Sequence, residues 1–95
     1  MYQRSGKYML PKAVYNHTVW QIRDYDRLKD LDNDYARRVV GAIDECLQDI
    51  PEEYRCGVWR NIQYRQRFPD DAGRATYGRY KSKYIHSVAK KLGYV

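Results

Sequence analysis

Residues 36–50 read ARRVVGAIDECLQDI, and their apolar side chains recur at intervals of three and four residues. This spacing places them along one side of an α-helix, so the segment predicts a helix that packs against a core. Asn33 or Asp34 can cap its start, because a short polar side chain accepts a hydrogen bond from a free backbone N–H. Pro51 ends it, and we predict a helix over residues 34–50. The apolar stripe comprises Ala36, Val39, Val40, Ile43, Cys46, Leu47 and Ile50.

Similar patterns on either side of this segment predict three more helices. Pro11 suits a first helical turn, where its missing N–H costs nothing, and Gly93 is typical of the position just after a helix. Gly57 lies inside the third helix at a small cost in helix propensity. We predict a loose arm over residues 1–9, a first helix over 11–31, a third over 51–65 and a fourth over 76–92.

The chain as a whole predicts one small all-α domain. Its 95 residues suit a single domain, and a hydrophobic fraction of 43% is enough for one core. No segment shows the sustained two-residue alternation of a half-buried strand. Residues 66–75 form a turn region, in which residues 69–72 can make one short helical turn. We expect a small four-helix domain whose C-terminal part is helix-turn-helix-like, with a shortened middle helix.

The positive charge of the chain is concentrated in its second half. Residues 1–50 carry eight basic and eight acidic side chains, whereas residues 51–95 carry ten basic and four acidic ones. The second half therefore holds the whole net charge of +6, and Arg74 to Lys91 contains six basic residues and no acidic one. Such a one-sided stretch indicates a surface that binds a polyanion, although a solvated surface of a basic helix has the same composition.

The last predicted helix sets these charges opposite an apolar stripe. Arg, Lys and His side chains reach phosphates and base edges, and Ser and Thr hydroxyls contact phosphates. This arrangement predicts a recognition helix that enters the DNA major groove. The alternative is a basic amphipathic helix that only packs. The candidates for DNA contact are Arg74, Thr76, Arg79, Lys81, Ser82, Lys83, His86 and Lys90.

Catalytic and metal-binding patterns are missing from the sequence. The two histidines, His17 and His86, fall on different helices, and neither lies in a nucleophile or metal signature. Cys46 and Cys56 have no second pair and no nearby histidine, so we expect no zinc site and a buried thiol at Cys46. We therefore expect a protein that is not an enzyme and needs no cofactor and no metal.

Neither a membrane span nor an export signal is expected. No stretch approaches the roughly 18 consecutive apolar residues of a transmembrane helix. The polar start of the chain does not resemble a signal peptide. We therefore expect a soluble, cytoplasmic protein with no membrane partner.

The second half of the chain resembles a known family. Residues 50–55, IPEEYR, followed by an amphipathic helix, are similar to the opening of the promoter-binding fourth region of bacterial sigma factors. Residues 75–77, Lys81 and residues 89–92 look like the recognition helix of that region. The resemblance covers about residues 47–92. The family has a full helix between the two matched pieces, whereas here only the segment PDDAG stands in that place.

The resemblance implies a DNA-binding transcription regulator. In that family the recognition helix reads a promoter element, and the region also docks on RNA polymerase. Short phage-encoded regulators have similar sigma-like tails, and residues 10–25 look like the opening of such proteins. The resemblance therefore implies a phage-derived regulator that acts on double-stranded DNA in a bacterial host cell, with RNA polymerase as a further partner.

Within this hypothesis, the basic residues have two different roles. Arg79 is the candidate for a guanine contact, because a guanidinium matches the two acceptors on the guanine edge. Lys81, Lys83 and Lys90 would bind phosphates and set affinity. A homodimer is an open alternative to a monomer, and the first helix with Trp20 is the candidate dimer face.

Eleven tyrosines support a second hypothesis, a small module that binds a host or phage protein. Tyrosine is frequent at protein interfaces because it joins a large rigid surface to a polar tip. RNA binding is a third hypothesis, without the sheet platform of the common RNA-binding modules. Helix packing accounts for Tyr54, Tyr77, Tyr80 and Tyr84, whereas we expect Tyr2, Tyr8, Tyr35 and Tyr64 to be exposed.

Overall fold

The computed structural model describes residues 8–70 and 73–95, which fold into five α-helices. These described residues contain no strand, and the predicted all-α class is confirmed. None of the five helices is both long and apolar enough to span a membrane. The helices are α1 (Lys12–Arg23), α2 (Tyr25–Asp30), α3 (Asp34–Gln48), α4 (Glu52–Tyr64) and α5 (Arg74–Lys91).

The predicted first helix over residues 11–31 is divided in two, which makes five helices in the described residues rather than four. The division falls at Asp24, whose backbone leaves the helical region with φ −88° and ψ 11°. Asp favours such a helix boundary, and here its carboxylate binds Arg27 at 2.6 Å. The bend directs α2 against α3, and Leu28 thereby reaches the core with only 2% of its surface exposed.

The other helices keep their predicted places, with shifts of one or two residues at their ends. Asn33, one of the two candidates named from the sequence, caps α3 by accepting a hydrogen bond from the Ala36 backbone N–H at 2.8 Å. Helix α5 begins two residues earlier than predicted, because Arg74 and Ala75 already have helical structure after Gly73. The predicted arm over residues 1–9 lies mostly outside the described residues.

Helix α5 is packed against three other helices, α1, α3 and α4. Its inward side therefore supplies much of the core, and the Tyr84 hydroxyl donates a buried hydrogen bond to the Ile43 carbonyl at 3.2 Å. The fully or nearly fully buried residues of this side are Tyr77, Tyr84, Ile85, Val88 and Ala89.

Gly57 in α4 lies where the Tyr77 ring comes close to the helix backbone. A Cβ atom at this position would lie 2.6 Å from Tyr77 Cε1 and 2.9 Å from Pro69 Cδ, which is closer than atoms pack. The Tyr77 ring also stacks on Phe68, with 5.2 Å between ring centroids. The glycine predicted as a cost in helix propensity therefore makes room for Tyr77, one of the two tyrosines on the inward side of α5.

The C-terminus of α5 is closed by a Schellman motif. Gly93 adopts a positive φ of 83°, and its N–H donates to the Lys90 carbonyl, while the Tyr94 N–H donates to Ala89 at 2.9 Å. The Tyr94 hydroxyl then donates to Gln21 Oε1 at 2.9 Å. The predicted role of Gly93 is confirmed, and the motif fixes the end of α5 against α1.

Candidate nucleic-acid interface

The side of α5 that faces away from the core carries a row of basic and polar side chains. Arg79 and Lys90 are exposed, and the three residues between them are partly exposed. Residues three and four apart on a helix are neighbours, so the row is continuous and about 16 Å long. We call this row the outward strip, and it comprises Arg79, Ser82, Lys83, His86 and Lys90.

The cations of the outward strip have no acidic partner among residues 8–70 and 73–95. Ion pairs in this part of the chain join Arg27 to Asp24, Arg37 to Asp32 and Asp34, and Lys91 to Glu45. None of these pairs includes a residue of the strip. Helix α5 contains no acidic residue, so no carboxylate of the same helix offsets the charges of Arg79, Lys83 and Lys90.

Tyr8 lies beside the middle of the outward strip. Its ring meets the His86 ring edge-on, with 5.7 Å between centroids. Leu10, two residues later, is 3% exposed and is part of the core. Because Leu10 is fixed in the core, the segment before α1 passes next to α5, and Tyr8 is partly covered where we expected it to be exposed.

The other three predicted contact residues occupy different positions on α5. Thr76 is seven residues before Lys83 and therefore continues the outward strip toward the start of the helix. Arg74 is the first residue of α5 and is exposed. Lys81 lies four residues after Tyr77 and four before Ile85, both fully buried, so the structure places it on the inward side rather than on the strip.

Lys81 is partly buried on the inward side of α5. Burial lowers the pKa of its ammonium group, and the positive charge of Arg23 lowers the pKa further. A phosphate contact through Lys81 would therefore use a different face of the protein from a contact through Lys83. The sequence could not separate the two lysines, because they are two residues apart in one basic stretch.

The connection between α4 and α5 contains no helix in its described part, residues 65–70 and 73. The predicted short helical turn over 69–72 extends into residues 71 and 72, outside the described range. Three exposed arginines that the sequence analysis did not single out lie at this end of α4: Arg60, Arg65 and Arg67. The excess of arginine over acidic residues in residues 60–67 could have indicated this basic surface from the sequence.

Arg55, the last residue of the IPEEYR segment, has a structural role here. Its Nε donates to the Ile50 carbonyl at 2.7 Å and its Nη2 to the Gln48 carbonyl at 3.0 Å. These carbonyls end α3 and have no partner within that helix. Arg55 therefore fixes the angle between α3 and α4, and through α4 the position of α5.

Large aromatic side chains are exposed elsewhere. Trp20 is 62% exposed, and Tyr35 and Tyr64 are 55% and 68% exposed. Tyr35 lies next to α1, because its hydroxyl accepts a hydrogen bond from Gln21 Nε2 at 2.8 Å. The expected exposure of Tyr35 and Tyr64 is confirmed, whereas Tyr2 lies outside the described residues.

Metal-binding and redox features are few. The described residues contain no group of three or more side chains that could hold a metal ion. Cys46 and Cys56 are both free thiols, and Cys46 is buried as expected. Burial raises the pKa of the Cys46 thiol, which keeps the group protonated and unreactive.

Comparison with known proteins does not assign the chain to a family. No family model matches it, and neither the curated proteins nor the solved structures include a significant match.

Proposed function

We propose that this protein binds double-stranded DNA through the outward strip of α5 and regulates transcription. The observation that carries the proposal is a row of cations with no acidic partner in the described chain, on one side of a helix whose other side is fixed by three helices. A rigid helix with one buried and one basic side is how helix-turn-helix proteins present a recognition helix to the major groove.

The side chains of the strip have distinct roles in this proposal. The Arg79 guanidinium donates two parallel hydrogen bonds to a guanine edge. Lys83 and Lys90 bind phosphates, and the hydroxyls of Ser82 and Thr76 donate to phosphate oxygens near them. Lys81 takes no part in this contact, because it lies on the opposite side of α5.

The regulatory part of the proposal rests on the resemblance of residues 47–92 to the fourth region of sigma factors. By that resemblance the DNA site is a promoter, the protein is phage-derived, and RNA polymerase of the bacterial host is a second partner. Arg55 belongs to the resemblance, but its hydrogen bonds go to carbonyls at the end of α3, so we assign it to the fold and not to the DNA contact.

A pair of double variants tests the DNA proposal. Lys83→Gln/Lys90→Gln removes two charges from the strip, and Lys12→Gln/Lys29→Gln removes two exposed lysines elsewhere. We expect the first variant to bind a random 20-base-pair duplex roughly tenfold more weakly or worse, and the control to bind within about twofold of the parent chain. Fluorescence anisotropy at low salt measures both. Equal losses in the two variants would contradict the assignment to α5.

A protein-binding function is the alternative, and the exposure of Trp20 favours it. Exposed tryptophan is enriched at binding hot spots. If this function holds, Trp20→Ala abolishes the capture of a partner from nuclease-treated lysate, while Lys83→Gln/Lys90→Gln retains it. Sedimentation of the two variants separates a homodimer on this face from a different partner protein.

A further inference from the structure

A groove of about 400 Å³ lies between α2, α3 and α4. Pockets of this size hold small organic molecules, and their lining is usually apolar with a few polar groups that orient the ligand. The groove has both kinds of group, supplied by three helices. Its described lining residues are Tyr25 of α2, Asp44 and Leu47 of α3, and Arg55, Cys56 and Trp59 of α4.

Tyr25 and Trp59 form an aromatic corner in this groove. Their ring centroids are 5.2 Å apart, and the ring planes are almost perpendicular, at 86°. A flat ring that lies against one of them therefore presents its edge to the other, and both arrangements are favourable for aromatic pairs. Both side chains are partly exposed, and Leu47 adds an apolar surface from α3. The apolar part of the groove therefore suits a planar ring.

A carboxylate lies beside the aromatic corner. The Tyr25 hydroxyl donates to Asp44 Oδ1 at 2.8 Å, which holds the Asp44 side chain next to the rings. Asp44 takes part in none of the ion pairs within residues 8–70 and 73–95, and its Oδ2 has no hydrogen-bond donor in that part of the chain. An ionised carboxylate only accepts hydrogen bonds, so Oδ2 is available to an N–H group of a ligand.

Arg55 supplies a hydrogen-bond donor to the same groove. Its Nε and Nη2 are fixed on the Ile50 and Gln48 carbonyls, whereas its Nη1 has no acceptor among the described residues. Gln48 is four residues after Asp44, so the free donor and the free acceptor are roughly one helical turn, about 6 Å, apart along α3. Arg55 and Asp44 carry opposite charges, and the described lining of the groove therefore has no net charge.

We propose that this groove binds a small, uncharged, planar nitrogen heterocycle of the kind found in nucleosides. The ring packs into the corner of Tyr25 and Trp59, as bases do on aromatic side chains. An N–H at its edge donates to Asp44 Oδ2, and a ring nitrogen or carbonyl oxygen accepts from Arg55 Nη1.

The charge of the groove indicates a free small molecule rather than a nucleic-acid strand. A strand brings phosphates, which require an excess of basic side chains. The outward strip has such an excess, whereas in the groove Arg55 is balanced by Asp44. The described lining residues belong to α2, α3 and α4 and not to α5, so this site does not depend on the DNA proposal.

Titration with adenosine, followed by NMR, tests the site. The chain has two tryptophans, so two indole N–H signals report on two surfaces in one spectrum, and Trp20→Phe assigns them. Trp20 lines a different groove, on α1, and serves as the internal control. We expect a saturable shift of the Trp59 signal and no comparable shift of the Trp20 signal. Equal shifts of both signals, or none at millimolar adenosine, would overturn the proposal.

Two matched comparisons test the hydrogen bond to Asp44. Adenosine with both amino hydrogens replaced by methyl groups keeps the rings but lacks the donors, and it should bind roughly tenfold more weakly than adenosine. Asp44→Asn keeps an acceptor for the Tyr25 hydroxyl but replaces the free oxygen by an NH2 group, so it should lose a similar factor for adenosine. The control Asp30→Asn, at an exposed acid that ends α2, should change the affinity by less than about twofold. Equal binding of adenosine to Asp44→Asn and to the parent chain would overturn the proposal.

Cys56 gives an independent measurement that needs no substitution. Of the two cysteines, Cys56 is exposed and lines the groove, whereas Cys46 is buried, so iodoacetamide should modify Cys56 first. Bound adenosine should slow this alkylation in proportion to the occupied fraction. An alkylation rate that does not change with adenosine concentration would overturn the placement of the ligand in this groove.

Two further measurements separate this proposal from DNA binding. Lys83→Gln/Lys90→Gln should bind adenosine as the parent chain does, whatever its affinity for a duplex. A short single strand of adenine nucleotides should shift the Trp59 signal no more readily than adenosine does. A shift at a much lower concentration of the single strand would assign the groove to a nucleic-acid base and overturn the assignment to a small molecule.

Discussion

The inward and outward sides of α5 belong to one helix of 18 residues but differ in burial and in charge. The inward side packs against three helices, and its residues Tyr77 and Tyr84 are each 1% exposed. Arg79 and Lys83 on the outward side have no ion-pair partner in the described chain. One side therefore determines whether the domain folds, and the other is free to determine what it binds. Substitutions on the two sides should separate stability from binding.

The largest expected effect is on the inward side. Tyr77→Ala removes a fully buried ring that contacts Phe68 and Tyr54, and it should lower the free energy of unfolding by about 3–5 kcal/mol. Lys83→Ala on the outward side should change it by less than about 0.5 kcal/mol. Urea unfolding followed by circular dichroism compares them. A similar loss in both would mean that the two sides are not independent.

A pair of glycine substitutions gives effects of opposite sign. Gly57→Ala would place a Cβ 2.6 Å from Tyr77 Cε1, and we expect a loss of about 1–3 kcal/mol in the free energy of unfolding. Gly78→Ala has no atom within 4 Å of the new Cβ and should gain about 0.5–1 kcal/mol from helix propensity. Thermal melts of the two variants measure this. Stabilisation by Gly57→Ala would refute the close packing of Tyr77 on α4.

Arg79→Ala tests the outward side for sequence reading. If Arg79 contacts a guanine edge, the variant should lose roughly tenfold in discrimination between a selected site and random duplex. Its affinity for random DNA should fall less, since the lysines still bind phosphates. Competition binding with the two duplexes measures the ratio. Equal losses of affinity for both duplexes would mean that Arg79 contacts only a phosphate.

The smallest effect concerns the pH dependence of stability. Burial raises the pKa of the Tyr84 phenol well above its usual value of 10.0. Below pH 10 the phenol is protonated in both states, and its hydrogen bond to Ile43 stabilises the fold by about 1 kcal/mol. As the pH rises above 10 the unfolded chain loses this proton first, so stability falls.

Tyr84→Phe should therefore be less stable than the parent chain at pH 7 and approach it above pH 10. Urea unfolding at pH 7, 9, 10 and 11 measures the difference between the two chains, in which contributions from the other tyrosines cancel. A difference that stays constant across this range would mean that the Tyr84 phenol is not protected by burial.

Local sequence signals predicted most of the fold. The stripe in α3, the Asn33 cap and the Gly93 terminus each depend on residues within one helix turn. The break at Asp24 was missed, because the apolar spacing continues through it and the bend is stabilised by the packing of α2 against α3. The room that Gly57 makes for Tyr77 was also missed, because it joins residues 20 positions apart.

The candidate site was only partly predicted, because local sequence signals do not show contacts between helices. Helical spacing placed Arg79, Lys83 and His86 on one side of α5, and the structure has them there. The inward position of Lys81 depends on which side of α5 packs against α1, α3 and α4, and the local run of basic residues does not show it.

The central claim, that the outward strip binds DNA, is tested most directly by a salt series. Fluorescence anisotropy with a random duplex should give a plot of log affinity against log salt with a slope of about −3 to −5, as three to five phosphate contacts require. Lys83→Gln/Lys90→Gln should reduce the steepness by about 2. A flat plot, or no binding at low salt, would contradict the claim and leave the exposed Trp20 surface as the candidate for function.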